Sequence, residues 1–214
     1  MKTALIAGAT GLIGRSLVEK ILESGKYGKV FLVTRKPCGI VDDKITELIT
    51  DFDLLSQLKF NQSVDDAFCT LGTTMKHAGS REKFKKVDYE YILSFARLAK
   101  KSGAKKFLVI SSMGANPKSK VFYNQVKGQT EEALKNIRFK QLVILRPSLL
   151  LGERKEKRFG EQLGAFVMQS LRILIPDNYK AVKAEKVADK MLRMALGSKE
   201  PLSIVESGAI VRQS

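Results

Sequence analysis

MKTALIAGATGLIG, Met1 to Gly14, is the stretch whose reading decides the fold. An apolar run, Ala4-Leu5-Ile6-Ala7, breaks into Gly8, Gly11 and Gly14. A strand feeding a glycine-spaced turn and then a helix is the form of a dinucleotide-binding site. The first glycine makes the tight turn, the second lets the backbone approach a pyrophosphate, and the third lets helix and strand pack closely. The helix after the turn points free N–H groups and the positive end of its dipole at the phosphates. The spacing is GxxGxxG rather than GxGxxG, so its place after a strand and before an amphipathic helix carries the weight. Gly8, Ala9, Thr10, Gly11, Leu12, Ile13 and Gly14 are the expected phosphate-binding segment.

Outward from this turn the chain alternates strand and helix. Leu12 to Ser24 is predicted helical, with Leu12, Ile13, Leu17, Val18, Ile21 and Leu22 on one face and Gly25 as its stop. Strands are predicted over Thr3 to Ala7, Val30 to Thr34, Ile45 to Thr50, Asp66 to Leu71, Phe107 to Ser111 and Leu142 to Leu145. Arg81 to Lys101 and Phe122 to Lys135 read as helices. This alternation predicts an α/β fold, a Rossmann-type doubly wound parallel sheet covered by helices on both faces. Residues 1–214 form a single domain, to which 151–214 contribute a small C-terminal substrate cap. Ligands of such sheets lie at the carboxyl ends of the strands.

Composition narrows the function classes. At 214 residues and 44% hydrophobic the chain can bury a sizeable core. No stretch approaches a membrane span, and Met1-Lys2 leads straight into the first strand without room for a signal peptide. Cys38 and Cys69 are too few and too scattered for a disulfide framework or a zinc site, so no metal is expected and the cytoplasm is the expected compartment. The formal net charge is +16, but the basic residues are spread along the chain. The densest run, Arg154-Lys155-Glu156-Lys157-Arg158, is broken by acid and lacks interleaved aromatics. A nucleic-acid partner is therefore not expected.

The second strand ends in Thr34-Arg35-Lys36. An acid at this place would hold a free ribose 2′-hydroxyl. Arg35 and Lys36 instead suit a 2′-phosphate, because a guanidinium forks onto phosphate oxygens. The cofactor expected is NADP(H).

Tyr123 and Lys127 stand at i and i+4 and project from one helix face. An ammonium near a phenol favours the phenolate and equips it for general acid–base work. Tyr179 and Lys183 share the spacing. Only Tyr123 follows a buried strand that ends in hydroxyls, Ser111-Ser112, and so the pair Tyr123 and Lys127 is preferred. Ser112 is the residue expected to orient a substrate oxygen. His77, the single histidine, stands in a loop. Cys69 reads as buried strand packing. Leu163, Phe166, Val167, Leu171 and Leu174 form an amphipathic helical stripe.

Taken together, GATGLIG, the Ser-Ser strand end, Tyr123-xxx-Lys127 and Arg146-Pro147-xx-Leu150-x-Gly152 resemble the atypical or extended branch of the short-chain dehydrogenase/reductase superfamily. Cys69-Thr-Leu-Gly-Thr-Thr74, Val87-Asp-Tyr89, Ser111-Ser112-x-Gly-Ala115, Gln125-Val-Lys-Gly128 and Arg146-Pro-x-x-Leu-Leu151 resemble, more closely, the family of the Tat-interacting oxidoreductase of animals and its bacterial relatives. The resemblance implies NADPH held by Ala9 to Leu12, Arg35 and Lys36, Leu71 and Gly72, and Tyr123 and Lys127. It also implicates Leu150 and Arg158 near the nicotinamide. Asp88 stands in the region where many superfamily members place a helper Asn.

The expected function is NADP(H)-dependent oxidation or reduction of a small carbonyl or hydroxyl substrate. Tyr123, Lys127 and Ser112 are the catalytic set. The alternative is a non-catalytic NADP(H)-binding redox sensor that engages a protein partner. The short stretch after Leu151 argues against a sugar-nucleotide epimerase, which carries a larger substrate domain. Substrate identity and oligomeric state are not legible in the sequence.

Overall fold

The computed structural model describes residues 1–151 and 180–212. Seven parallel strands form one sheet: β1 (Lys2–Ala7), β2 (Tyr27–Thr34), β3 (Ile45–Ile49), β4 (Asp66–Cys69), β5 (Lys106–Ile110), β6 (Gln141–Arg146) and β9 (Leu202–Glu206). Their order is β3-β2-β1-β4-β5-β6-β9. From β1 the chain first winds one way through β2 and β3, then returns to place β4 on the other side of β1. Such a reversal opens a crevice at the carboxyl ends of β1 and β4.

The expected Rossmann-type fold is what the structure has. Strand period two sorts the β1 side chains. Ala4 and Ile6 enter the core on one face of the sheet, and Leu5 and Ala7 enter the core on the other. The first core is closed by α1 (Leu12–Glu23) through Ile13, Leu17, Val18 and Ile21, and by α6 (Ala184–Gly197) through Val187, Ala188, Met191 and Ala195. The second is closed by α4 (Ile92–Lys101) and α5 (Phe122–Lys135). Both faces of each central strand are covered, which explains the near-continuous apolar runs.

Two regions differ from the expectation. Part of the C-terminal segment assigned to a cap builds the main layers instead. β9 continues the sheet in register with β6, from Leu142↔Leu202 to Arg146↔Glu206, and α6 lies on the α1 face. A small pair, β7 (Leu150–Leu151) with β8 (Val182–Lys183), leads into α6, and α7 (Ser207–Val211) comes after β9. β9 escapes sequence reading because it is an edge strand whose Leu202 and Ile204 stay exposed. The remainder of the expected cap, 152–179, lies outside the described residues.

The second difference is in the helix predicted over Arg81 to Lys101. It is α3 (Arg81–Lys85), then a π-helical turn at Lys86–Tyr91, then α4. Turns of this kind recur at functional sites, and this one carries the buried Asp88. A 3₁₀ turn (Phe52–Gln57) and the short α2 (Met75–Ala78) complete the surroundings of the crevice.

Candidate active site

The crevice is a cleft of about 510 Å³. One wall is Gly8 to Gly11, and the floor runs from Thr70 to Thr73. The opposite wall presents His77, Lys83, Lys86 and Val87, and the far end is closed by Thr34, Arg35, Phe52 and Tyr91.

The glycines serve distinct purposes. Gly8 has φ +90°, and a Cβ there would come within 2.6 Å of Thr70 Oγ1. A Cβ on Gly14 would meet the Gly8 carbonyl oxygen at 2.1 Å, so α1 and the turn touch backbone to backbone. Gly11 instead lines the cleft, and a side chain there would fill space a ligand could use. Gly11 is also the N-cap of α1, with no capping side chain and no acid in the first turn. The first N–H groups of a helix lack intrahelical acceptors. Here no side chain among the described residues caps them.

The far end adds two features that fit a dinucleotide. Thr34 is buried at the end of β2, and its Oγ1 has no hydrogen-bond partner among the described residues. An unpartnered buried hydroxyl is costly unless a ligand satisfies it. Beside it the Arg35 guanidinium lies 6.0 Å from the Phe52 ring centroid. Lys36 is exposed and outside the cleft lining.

At the other end, Lys127 lies behind the floor. Its side chain is 5% exposed and its Nζ is 2.8 Å from Asp88 Oδ1. A Cβ on Gly72 would stand 3.6 Å from Lys127 Nζ and 3.4 Å from Asp88 Oδ1, so the pair lies against Gly72, which lines the cleft. Burial is the strongest influence and works against the ammonium, but the Asp88 carboxylate foremost, together with Tyr123 and Cys69, leaves Lys127 above the usual lysine range. Asp88 Oδ2 accepts from the Thr73 backbone N–H at 2.8 Å. Thr130 Oγ1 donates to the Asp88 carbonyl at 2.8 Å and fastens the π turn to α5. Burial pushes the nearby Cys69 thiol up to about 12, so it stays neutral.

Tyr123 begins α5 half-buried, its ring 5.2 Å from that of Phe84. The short link from β5 to α5 folds back onto the helix. Gly128 permits this, since a Cβ there would meet the Pro117 nitrogen at 2.2 Å. The two serines ending β5 part ways. Ser111 Oγ donates to Glu131, which grips Arg146 through Nε (3.0 Å) and Nη2 (2.6 Å). Arg146 Nη1 reaches Glu206 at 2.9 Å, so the cluster ties α5 to β6 and β9. Ser112 Oγ is buried with no partner among the described residues.

The structure therefore gathers Gly8, Ala9, Thr10, Gly11, Arg35, Leu71 and Gly72 in one cleft, with Lys127 behind its floor. Ser112 and Tyr123 lie beyond the lining, just past β5 and at the start of α5. The Ile13 side chain turns into the core, and Leu12 and Leu150 pack against it. Arg158, Gly152, Tyr179 and the stripe from Leu163 to Leu174 lie outside the described residues. Sequence reading gave no role to Thr34, Lys83 or Lys86. Thr34 carries a legible signal, a hydroxyl closing an apolar strand. Lys83 and Lys86 carry none in a lysine-rich chain.

Residues 41–174 match the family model HIM1. The chain belongs to the HIM1 family. Protein HTATIP2 of Rattus norvegicus, a relative of this HIM1-family chain, is 33% identical over 218 residues, covering 98% of this chain and 88% of its own. That agrees with the resemblance to the Tat-interacting oxidoreductase. FMP52 of Lodderomyces elongisporus, named mitochondrial, is 36% identical over 167 residues, covering 73% and 70%.

Among solved structures the fold is similar to WbmH of Bordetella bronchiseptica, crystallised in complex with NAD+. The TM-score is 0.72 at 19% identity, covering 97% of this chain and 76% of that one. An oxidoreductase of the short-chain dehydrogenase/reductase family from Burkholderia thailandensis gives 0.68 at 16% identity, covering 98% and 93%. The fold is that of the short-chain dehydrogenases/reductases. No described helix is long and apolar enough to cross a membrane.

Proposed function

We propose that this HIM1-family protein is an NADP(H)-dependent oxidoreductase acting on a small carbonyl or hydroxyl substrate. The observation that carries the proposal is the buried Lys127 ammonium, lying against Gly72 of the cleft and on the same helix as Tyr123. The free first-turn N–H groups of α1 suit the diphosphate. Arg35 suits a 2′-phosphate, and the unpartnered Thr34 hydroxyl suits the adenosine ribose or its phosphate. Gly8, Ala9, Thr10, Gly11, Leu12, Ile13, Gly14, Leu71 and Gly72 would complete the hold, with Lys36, Leu150 and Arg158 as outlying contributors. The proposed compartment remains the cytoplasm, in keeping with two free cysteines.

When bound, the cofactor supplies hydride chemistry. The chain's own residues position and protonate. Ser112 Oγ has a donor and acceptor to offer a substrate oxygen, and Ser111 does not, because Glu131 takes it. Tyr123 gives its phenolic proton to the oxygen of a carbonyl being reduced, or takes one from an alcohol being oxidised. Lys127 orients the ribose and lends positive charge beside the phenol.

A screen of aldehydes, ketones and quinones, following NADPH oxidation, tests the proposal. For any substrate found, Tyr123→Phe should lower turnover by about 10²- to 10⁴-fold, the usual worth of general acid catalysis, with cofactor affinity nearly unchanged. Equal turnover would remove Tyr123 from the mechanism. Tight NADPH binding with no turnover would favour the sensor.

A further inference from the structure

Lys127 is a buried lysine, and its charge state is decided by the groups that face it. From the π turn it faces Asp88, and along its own helix Tyr123. From β4 it faces Cys69, a neutral thiol. Asp88 is the one carboxylate in this set. It is fully buried, and its Oδ1 has no hydrogen-bond partner besides the ammonium among the described residues. Three further features hold it in place: the Thr73 N–H on Oδ2, the Thr130 hydroxyl on its carbonyl, and the π turn itself. An ordinary helical register through 86–91 would point residue 88 elsewhere, because each π turn rotates the later residues around the helix axis.

We propose that Asp88 is a positioning residue for the cofactor. By direct contact it keeps Lys127 an ammonium beside Gly72, so that the cleft holds its dinucleotide equally well from neutral to alkaline pH. The inference rests on the reading of the cleft as an NADP(H) site. The physics has a definite sign. A buried lysine without a counter-charge loses its proton below the usual lysine range. The charged form is the one that donates to ribose hydroxyls and attracts phosphate. Removing the Asp88 charge should therefore make cofactor binding fail as pH rises, whereas the intact pair should not.

The test is the dissociation constant of NADPH between pH 7 and 9.5 at fixed ionic strength, by fluorescence titration. The wild type should vary by no more than about threefold. Asp88→Asn keeps the size and an acceptor for Thr73 N–H but not the charge, and should weaken by tenfold or more across the range. Asp88→Glu, which keeps the charge, should be flat. Asp88→Asn combined with Lys127→Arg should also be flat, because a guanidinium does not titrate there. An Asp88→Asn profile parallel to wild type, even if uniformly weaker, overturns the proposal, since a merely structural role predicts that result.

A second measurement covers an Asp88→Asn protein that does not fold. In the nitrogen spectrum of the lysine side chains of wild type, assigned with Lys127→Arg, Lys127 should persist as an ammonium at pH 9.5. A neutral amine at that pH overturns the proposal. A wild type that binds neither NADPH nor NADH overturns the function proposed above, and the nitrogen spectrum then decides the pair alone.

Discussion

Two cation–carboxylate clusters, one buried around Lys127 and one partly exposed around Arg146, stand near the carboxyl edge of the sheet, and they are built differently. Around Arg146 every strong group has a partner. Glu131 accepts from two guanidinium nitrogens and from Ser111, and Glu206 takes a third nitrogen. Around Lys127 the ammonium meets one carboxylate oxygen among the described residues and lies against Gly72 of the cleft. A satisfied network rigidifies a fold. A cation that meets one carboxylate among the described residues, beside a glycine of the cleft, suits a ligand that arrives. The same contrast separates Ser111, engaged, from Ser112, which has no partner among the described residues.

The largest effect that could break this comparison is at Glu131. Glu131→Ala leaves Arg146 with Glu206 alone. Removing one partner of a buried pair costs about 3–5 kcal/mol, and the lower figure applies because Arg146 is partly exposed. Urea unfolding should show a loss of about 3 kcal/mol, while NADPH affinity of the folded protein stays within about threefold. A tenfold loss of affinity at full stability would mean that the Arg146 cluster belongs to the site.

The serines sharpen the contrast at smaller scale. Ser111→Ala takes one of two donors from Glu131 Oε1, which keeps Arg146 Nε, and should cost about 1–2 kcal/mol of stability. Ser112→Ala removes a hydroxyl with no partner among the described residues and should be close to neutral in urea unfolding, with its effect on turnover. Reversed results, with Ser112→Ala the destabilising change, would show that Ser112 serves the fold.

Legibility in the sequence differed from region to region. The β1 turn was readable because three constraints follow one another between Met1 and Ser24: an apolar strand, glycine spacing and a one-faced helix. The Gly8 and Gly14 contacts show that backbone geometry leaves no alternative there. The central strands were readable because burial on both faces forces apolar runs. β9 was not, because half of an edge strand faces outward and its pattern dilutes. The π turn has no signature in KVDYEY, whose composition suits an ordinary helix. The Asp88–Lys127 pair therefore could not be inferred, although each residue was singled out alone. Tyr123 and Ser112 were chosen by position after β5. The basic wall of Lys83 and Lys86 is invisible in a chain with 38 Lys and Arg residues.

The central claim is that the cleft at the reversal of strand order holds a 2′-phosphorylated nicotinamide dinucleotide. Parallel titrations of NADPH and NADH test it most directly. Each charge-assisted contact to the 2′-phosphate is worth about 1.5–3 kcal/mol. NADPH should therefore bind at least about tenfold tighter than NADH, and Arg35→Ala should erase most of that preference while leaving NADH affinity unchanged. Equal affinities for the two dinucleotides, or a preference that survives Arg35→Ala, would contradict the account.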